Sequence, residues 1–412
     1  MLRRLIVRPF HKCNFSQLKR LKESDLCDSQ KRANGIIPIR DYMKWLNKPQ
    51  IMVRDDFFSH KPRVRDNQEK ITDFEPYFSH AMAKWLWTTY TLNDYPYFDL
   101  NIVTVFTNLR QCLDICSNTM KFFENVLNEE QFNRINYFMV PLYKMDRDIS
   151  PITLNKRIPG KIQIINDIQV SPFHVLGMEN DHSNTFWVQD PVYIVLMDDV
   201  IKNLSHDQVR LNSNEMWEQG YLKFNSNGDF CKQEWYEVMD SLCSKTVDML
   251  QDRVDRQMGI PQYIPSQLIQ LFEVINSLTP ENRIFALDLQ QHSSLYHSHW
   301  WWKTLLNKAT HWGHDHDFYT GSSVLLNPEH ETLWNHPEYN PIPPPPRDTI
   351  TFAPNFKQIE RICLNFNSDV NAVELHSLHK FMNQWYHEEN KPTPLSKQLK
   401  QSQLRLIHSH LV

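Results

Sequence analysis

Glycine is what this chain most lacks: 8 in 412 residues, and none between Gly35 and Gly160. Where backbone must lie close against a phosphate or a nucleotide, glycine is the residue that allows it. No G-x-G-x-x-G, no G-x-x-x-x-G-K-[ST] and no G-x-S-x-G occurs anywhere in the chain. The sequence therefore argues against a nucleotide-binding Rossmann or P-loop enzyme and against an α/β-hydrolase. Large rings fill the space instead, with Phe, Trp and Tyr at 12% of residues.

The first 22 residues, MLRRLIVRPFHKCNFSQLKRLK, hold seven basic side chains and no acid, with Leu2, Leu5, Ile6 and Phe10 along one helical face. A basic amphipathic start binds anionic membranes and is drawn inward by the membrane potential, so it reads as a mitochondrial transit peptide with a matrix destination. Without it the chain carries 37 basic against 48 acidic residues. Such an acidic body is a poor general ligand for nucleic acid. One acid-free stretch remains, the tail from Lys391 to Val412, with Lys391, Lys397, Lys400 and Arg405. It reads as a solvated basic tail that offers local contact to RNA. The seven cysteines are scattered and lack C-x-x-C pairs. They read as reduced thiols in a matrix-like compartment, with Cys112 and Cys116 buried on one helix face. No apolar run reaches the roughly 20 residues of a membrane span.

Periodicity gives an α+β chain. Residues 23–70 read as an extended arm with a short amphipathic piece at DYMKWL. Residues 71–150 read as a helical segment: Phe78, Met82, Trp85 and Thr89 share one stripe, Val105 through Leu127 a second, and a third helix covers 128–139. An α+β core is expected over 151–340. Its short runs KIQII, FHVLGM, TFWVQ and VYIVLM, with the Asn227-Gly228 hairpin signal, predict a central antiparallel sheet. A helix over 234–258, a helix from an N-cap at Ser266, and a strand at RIFALDL follow. PIPPPP at 341–346 is a polyproline II spacer, placed at 341–347. Residues 348–390 are expected to form a C-terminal strand and helix unit, with DTITF and RICLNF as strands and Ser368 capping a helix. Residues 391–412 form the basic tail, so extended arms are expected at both ends.

The densest chemistry lies in HSHWWWKTLLNKATHWGHDHDFY, residues 297–319. His297 and His299 share the i, i+2 spacing of His314 and His316, with His311 between the pairs. Neutral imidazole is a common metal ligand, so His297, His299, His311, His314 and His316 are candidate ligands for zinc or iron. The spacing matches neither H-E-x-x-H nor the H-x-H-x-D-H of metallo-β-lactamase-like hydrolases. Trp300, Trp301 and Trp302 make a buried helix with satisfied histidines the favoured account. Asp198-Asp199 after a strand is a weaker Mg²⁺ candidate, and Asp288 could face His292.

These readings favour a non-catalytic structural or accessory component of a large mitochondrial assembly, the mitochondrial ribosome first. Its partners would be other subunits of that complex, with the basic tail on RNA, and no cofactor is expected. The alternative is a matrix metalloenzyme, a hydrolase or oxygenase, built on His297–His316. A further alternative is a respiratory-complex assembly factor or translational activator.

Overall fold

The computed structural model describes residues 35–43, 70–142, 158–165, 191–197, 200–224, 230–250, 253–254, 256, 258–279, 281–289, 323–325, 351–366, 372–386, 393–402 and 404–410. The first strand, β1 (Ile36–Pro38), leads into a helical turn at 39–43. Next come α1 (Tyr77–Asn93), β2 (Leu100–Phe106), α2 (Leu109–Val126), the single turn α3 (Glu129–Phe132), β3 (Ile135–Pro141) and β4 (Lys161–Ile164). After β5 (Val192–Leu196) and a 3-10 turn at Ile201–Asn203 lie β6 (Asp207–Leu211), β7 (Trp217–Phe224), β8 (Phe230–Tyr236) and α4 (Ser241–Met249). Then follow β9 (Gln262–Ile264), α5 (Ser266–Leu278), β10 (Asn282–Leu289), β11 (Ser323–Leu325) and β12 (Thr351–Ala353). The chain closes with α6 (Phe356–Phe366), β13 (Ala372–Ser377), α7 (Leu378–Trp385), α8 (Thr393–Gln401) and β14 (Leu404–His410).

The fold is α+β, with one mixed sheet and one antiparallel sheet as its main layers. The mixed sheet has seven strands in the order β13-β14-β10-β5-β2-β3-β4. β4, β3, β2, β5 and β10 run parallel, whereas β14 is antiparallel to both β10 and β13. Every residue of β2 and of β5 is buried. Uninterrupted apolar strands of this kind suit a parallel sheet covered on both faces. From β2 the chain steps outward through α2 to β3, and from β5 it steps the other way to β10. Right-handed crossovers in opposite directions put their helices on opposite faces. Accordingly α1 packs with α2 and α7, while α4, α5 and α6 pack together.

Apart from β1, the antiparallel sheet is built from the chain between β5 and α5. β8 runs along one edge of β7, while β6 and β1 share the other, and β9 pairs with β6. The buried Arg40 clamps the 39–43 turn to it: its guanidinium binds Asp207, and its Nη2 donates to Asp240 Oδ2 at 3.0 Å.

Several local expectations are met. α1 buries Phe78, Met82, Trp85 and Thr89; β7 and β8 pair antiparallel, though the Asn227-Gly228 signal itself lies outside the described residues; α5 and β10 stand where expected. Others are corrected. The first part of the second expected helix is the strand β2, and the third is the single turn α3 followed by β3, since a seven-residue run of this kind fits either a buried helix or a buried strand. KIQI and VYIVL lie in the mixed sheet as parallel strands, not in the antiparallel one. The helix expected over 234–258 is the strand β8 followed by α4, capped by Asp240. Pro265, not Ser266, occupies the N-cap position of α5. RICLNF is helical, and the helix ascribed to Ser368 is β13 plus α7, capped by Ser377.

The largest correction concerns the ends. Within the expected N-terminal arm, β1 pairs with β7 of the same chain. Within the expected solvated tail, β14 is inserted between β10 and β13, with Leu404, Leu406, Ile407, His408 and Ser409 buried. Alternation of LRLIHSH with a basic exposed flank hid a strand paired on both sides.

Candidate functional site

In an open α/β sheet, ligands bind beyond the carboxyl ends of the strands, where neighbouring connections leave in opposite directions. Here that point lies between β2 and β5. β2 ends at Phe106, and only Thr107 and Asn108 separate it from α2. Thr107 is buried, and Asn108 caps α2 by accepting from Gln111 N at 3.2 Å. Across the crevice, Met197 N donates to Val105 O at 3.3 Å, and the chain then enters the 201–203 turn. Asn203 Nδ2 reaches Thr107 Oγ1 at 3.5 Å, tying that turn to the end of β2. Lys202 N donates to Asp288 Oδ2 at 2.7 Å, which brings the carboxyl end of β10 to the same rim. Lys202, Asn203 and Asp288 are buried. One wall is apolar: Leu142 N donates to Phe106 O at 2.8 Å and closes the end of β3 with Val140, Pro141 and Leu142.

A second segment borders this rim. Phe352 of β12 stacks on the His206 ring with centroids 3.9 Å apart. Burial depresses the His206 pKa to about 3, so the ring is neutral. Its Nδ1 lies 2.9 Å from Leu204 O. β12 pairs with β11 and lies against the 201–203 turn.

Of the residues singled out from sequence, His297, His299, His311, His314 and His316 lie outside the described residues, as do His292, Asp198, Asp199 and Lys391. Lys397 and Lys400 are exposed on α8, and Arg405 is half-buried on β14. Asp288 is held by Lys202 N, a partner that no sequence pattern announced. Cys112 and Cys116 are fully buried on α2, and burial pushes the Cys116 thiol far above its ordinary range. Thr107, Asn108, Lys202 and Asn203 were missed. The signal for them was the break after an apolar strand into an Asn-capped helix, hidden once the segment was read as helical throughout.

The comparisons with known proteins give this crevice a context. Residues 81–325 match a family described as "Putative S-adenosyl-L-methionine-dependent methyltransferase". The Protein arginine methyltransferase NDUFAF7 homolog, mitochondrial, of Saccharomyces cerevisiae is 32% identical over 395 residues, spanning 90% of each chain. A Burkholderia thailandensis protein solved with S-adenosyl-homocysteine superposes with a TM-score of 0.56 and 13% identity, covering 98% of this chain and 94% of that one. A native crystal structure of an uncharacterized protein from the same species gives 0.54 and 11%, over 98% and 94% of the two chains. At such identities these two structures establish the fold.

These findings overturn the reading of the chain as a non-catalytic component of the mitochondrial ribosome, along with its translation and ribonucleoprotein associations. The metalloenzyme alternative built on His297–His316 falls with it. The expectation of no cofactor is overturned too, since the family is defined by S-adenosyl-L-methionine. The argument against a doubly wound nucleotide fold failed because the topology survives without its usual glycines. The mitochondrial address stands, in agreement with the yeast relative. No helix among the described residues is long and apolar enough to cross a membrane.

The described crevice departs from an adenosyl donor's usual seat in two places. Phe106-Thr107-Asn108-Leu109 has no glycine to let the donor approach the backbone at the β2–α2 junction, and the Thr107 side chain occupies that junction. The end of β3 offers Val140, Pro141 and Leu142 where a carboxylate would hold a ribose diol. The described residues therefore do not by themselves form a fitting seat for the donor. Lineage is a separate matter from fit. With the family match over residues 81–325 and a relative 32% identical across 90% of the chain, the chain belongs to the S-adenosyl-L-methionine-dependent methyltransferase family.

Proposed function

We propose that the chain is a mitochondrial methyltransferase that uses S-adenosyl-L-methionine and takes arginine side chains of protein as acceptor. The observation that carries the reading is the relative named for protein arginine methylation, aligned over 90% of the chain. The strand order supports it at the level of the fold, since a doubly wound sheet accepts a nucleoside-bearing ligand at such a crevice, whereas Thr107 and the apolar end of β3 stand where the donor usually lies. Thr107, Asn108, Lys202, Asn203 and Asp288 are the chain's own polar groups at that rim. Their part is to fix the two strand ends and the 201–203 turn relative to each other. Other subunits of a mitochondrial complex are the natural source of the acceptor, in line with the address.

The test uses the purified full chain in two arms. Calorimetry with S-adenosyl-homocysteine reads donor binding. Incubation with methyl-labelled donor and mitochondrial protein, followed by hydrolysis and amino-acid analysis, reads methylarginine. Saturable binding with label in methylarginine is the expected result. Binding with label in another residue overturns the acceptor alone, and absence of both binding and label overturns the reading.

A further inference from the structure

Away from the crevice, on the outer strands of the mixed sheet, three metal-binding side chains converge. Glu374 and His376 are at i, i+2 on β13 and so share one face of the strand. His408 of β14 sits directly opposite Glu374 in the antiparallel register. Their ligand atoms all lie within 4.8 Å of one another. His376 Nε2 is hydrogen-bonded to Glu374 Oε2, and His408 Nε2 is 3.9 Å from the same oxygen. The imidazole centroids are 5.3 Å apart. Both histidines are buried, while the Glu374 side chain is 42% exposed and opens the cluster to solvent at the sheet edge.

We propose that Glu374, His376 and His408 bind one divalent transition-metal ion of the zinc or iron class. Two imidazoles and one carboxylate are a donor set these ions favour, with positions left for water. Ligand atoms about 2.1 Å from a metal can be at most about 4.2 Å apart. The widest pair would close by no more than about 0.6 Å from its present limit of 4.8 Å. Metal binding would replace the His376–Glu374 hydrogen bond, releasing its proton to solvent as the two ligand atoms move apart to admit the ion. Trp85, Phe381 and Phe285 surround His408 with ring centroids at 5.4, 6.2 and 6.5 Å, which fixes its ring. The ion joins the edge strand β13 to β14 and so staples the C-terminal end of the sheet. The inference is independent of donor binding at the β2/β5 crevice.

The experiment is residue-specific, because the chain has 19 histidines. Full-length protein is stripped with EDTA and titrated with Zn²⁺ by calorimetry and with Co²⁺ by visible absorption. Thermal unfolding is followed with and without metal. One equivalent should bind, a Co²⁺ ligand-field band should appear, and the melting temperature should rise. Glu374→Gln and His376→Asn, both chosen outside the aromatic core, should weaken binding by more than the roughly 100-fold typical of losing an outer partner of a ligand. His314→Ala should leave the titration unchanged. Circular dichroism verifies that each variant is folded. Unaltered binding in both folded variants, binding lost only in His314→Ala, or no binding by the wild type each overturns the proposal.

Discussion

Replacing Arg40 with methionine should be among the most damaging single changes in the chain. Arg40 is 2% exposed and stands between two carboxylates, Asp207 and Asp240, that lie 167 and 200 residues away in sequence. Gln219 completes the network, donating to Asp207 at 2.9 Å and to Asp240 at 2.7 Å, while its Oε1 accepts from Asp240 N at 2.9 Å. Asp240 also caps α4 through Cys243 N at 2.9 Å. Methionine keeps the volume but leaves two buried acids without their cation. Breaking a buried pair this way costs about 3–5 kcal/mol. With an m-value near 3 kcal/mol/M, the urea midpoint should fall by roughly 1 M. The pH dependence follows from the same geometry. Burial, opposed by Arg40, raises Asp207 to about 6, so its folded form holds a proton that the unfolded chain releases. Its contribution therefore falls as pH rises from the ordinary aspartate range toward 6. Asp240 is depressed below its ordinary value despite burial, chiefly by Arg40, so its contribution is lost only as pH drops below that range. Without Arg40 both acids should rise, and the gap between wild type and variant should be smaller at pH 5 than at pH 8. Asp207→Asn in the Arg40→Met background should recover part of the loss. A penalty under about 1 kcal/mol, or one that grows as pH falls, would refute the reasoning.

Deleting residues 404–412 removes the buried Leu404, Leu406 and Ile407. At roughly 1.5–3 kcal/mol each, that rivals the entire stability of a typical domain, so the truncated chain should be insoluble in expression trials. A soluble, cooperatively unfolding truncation would mean β14 is dispensable. Cys112, Cys116, Cys243 and Cys363 are buried, and burial raises Cys363 to about 12 and Cys243 well above its ordinary value. Thiol reagent should label none of these four before denaturant is added, a pattern that peptide mapping reads directly. Asn108→Ala should cost about 0.5–2 kcal/mol through loss of the α2 cap, measured by urea unfolding. Thr107→Gly should tighten S-adenosyl-homocysteine binding by opening the β2–α2 junction, and unchanged affinity would show that Thr107 does not limit approach.

Sequence alone determined what depends on neighbours within a few residues. The stripe of Phe78, Met82, Trp85 and Thr89, the antiparallel pairing of β7 with β8, and the strand character of the apolar runs in β5 and β10 follow local signals, and each took its expected form. The basic, acid-free first residues pointed to the mitochondrial address that the yeast relative shares. Glycine content, in contrast, misled: it reports the shape of one loop, not the order of strands. Tertiary structure decided the rest. LNIVTVF is a strand because β3 and β5 flank it, and nothing in its composition excludes a buried helix. LRLIHSH is core because β10 and β13 enclose it. The β2/β5 crevice exists only through the reversal of strand order. Glu374, His376 and His408 meet only through the β13–β14 register, whereas the histidine-dense stretch at 297–319 drew notice by sequence proximity alone. Periodicity records which face of an element is dry. Which elements meet on that face is set by packing between distant segments, and so is not written in any one of them.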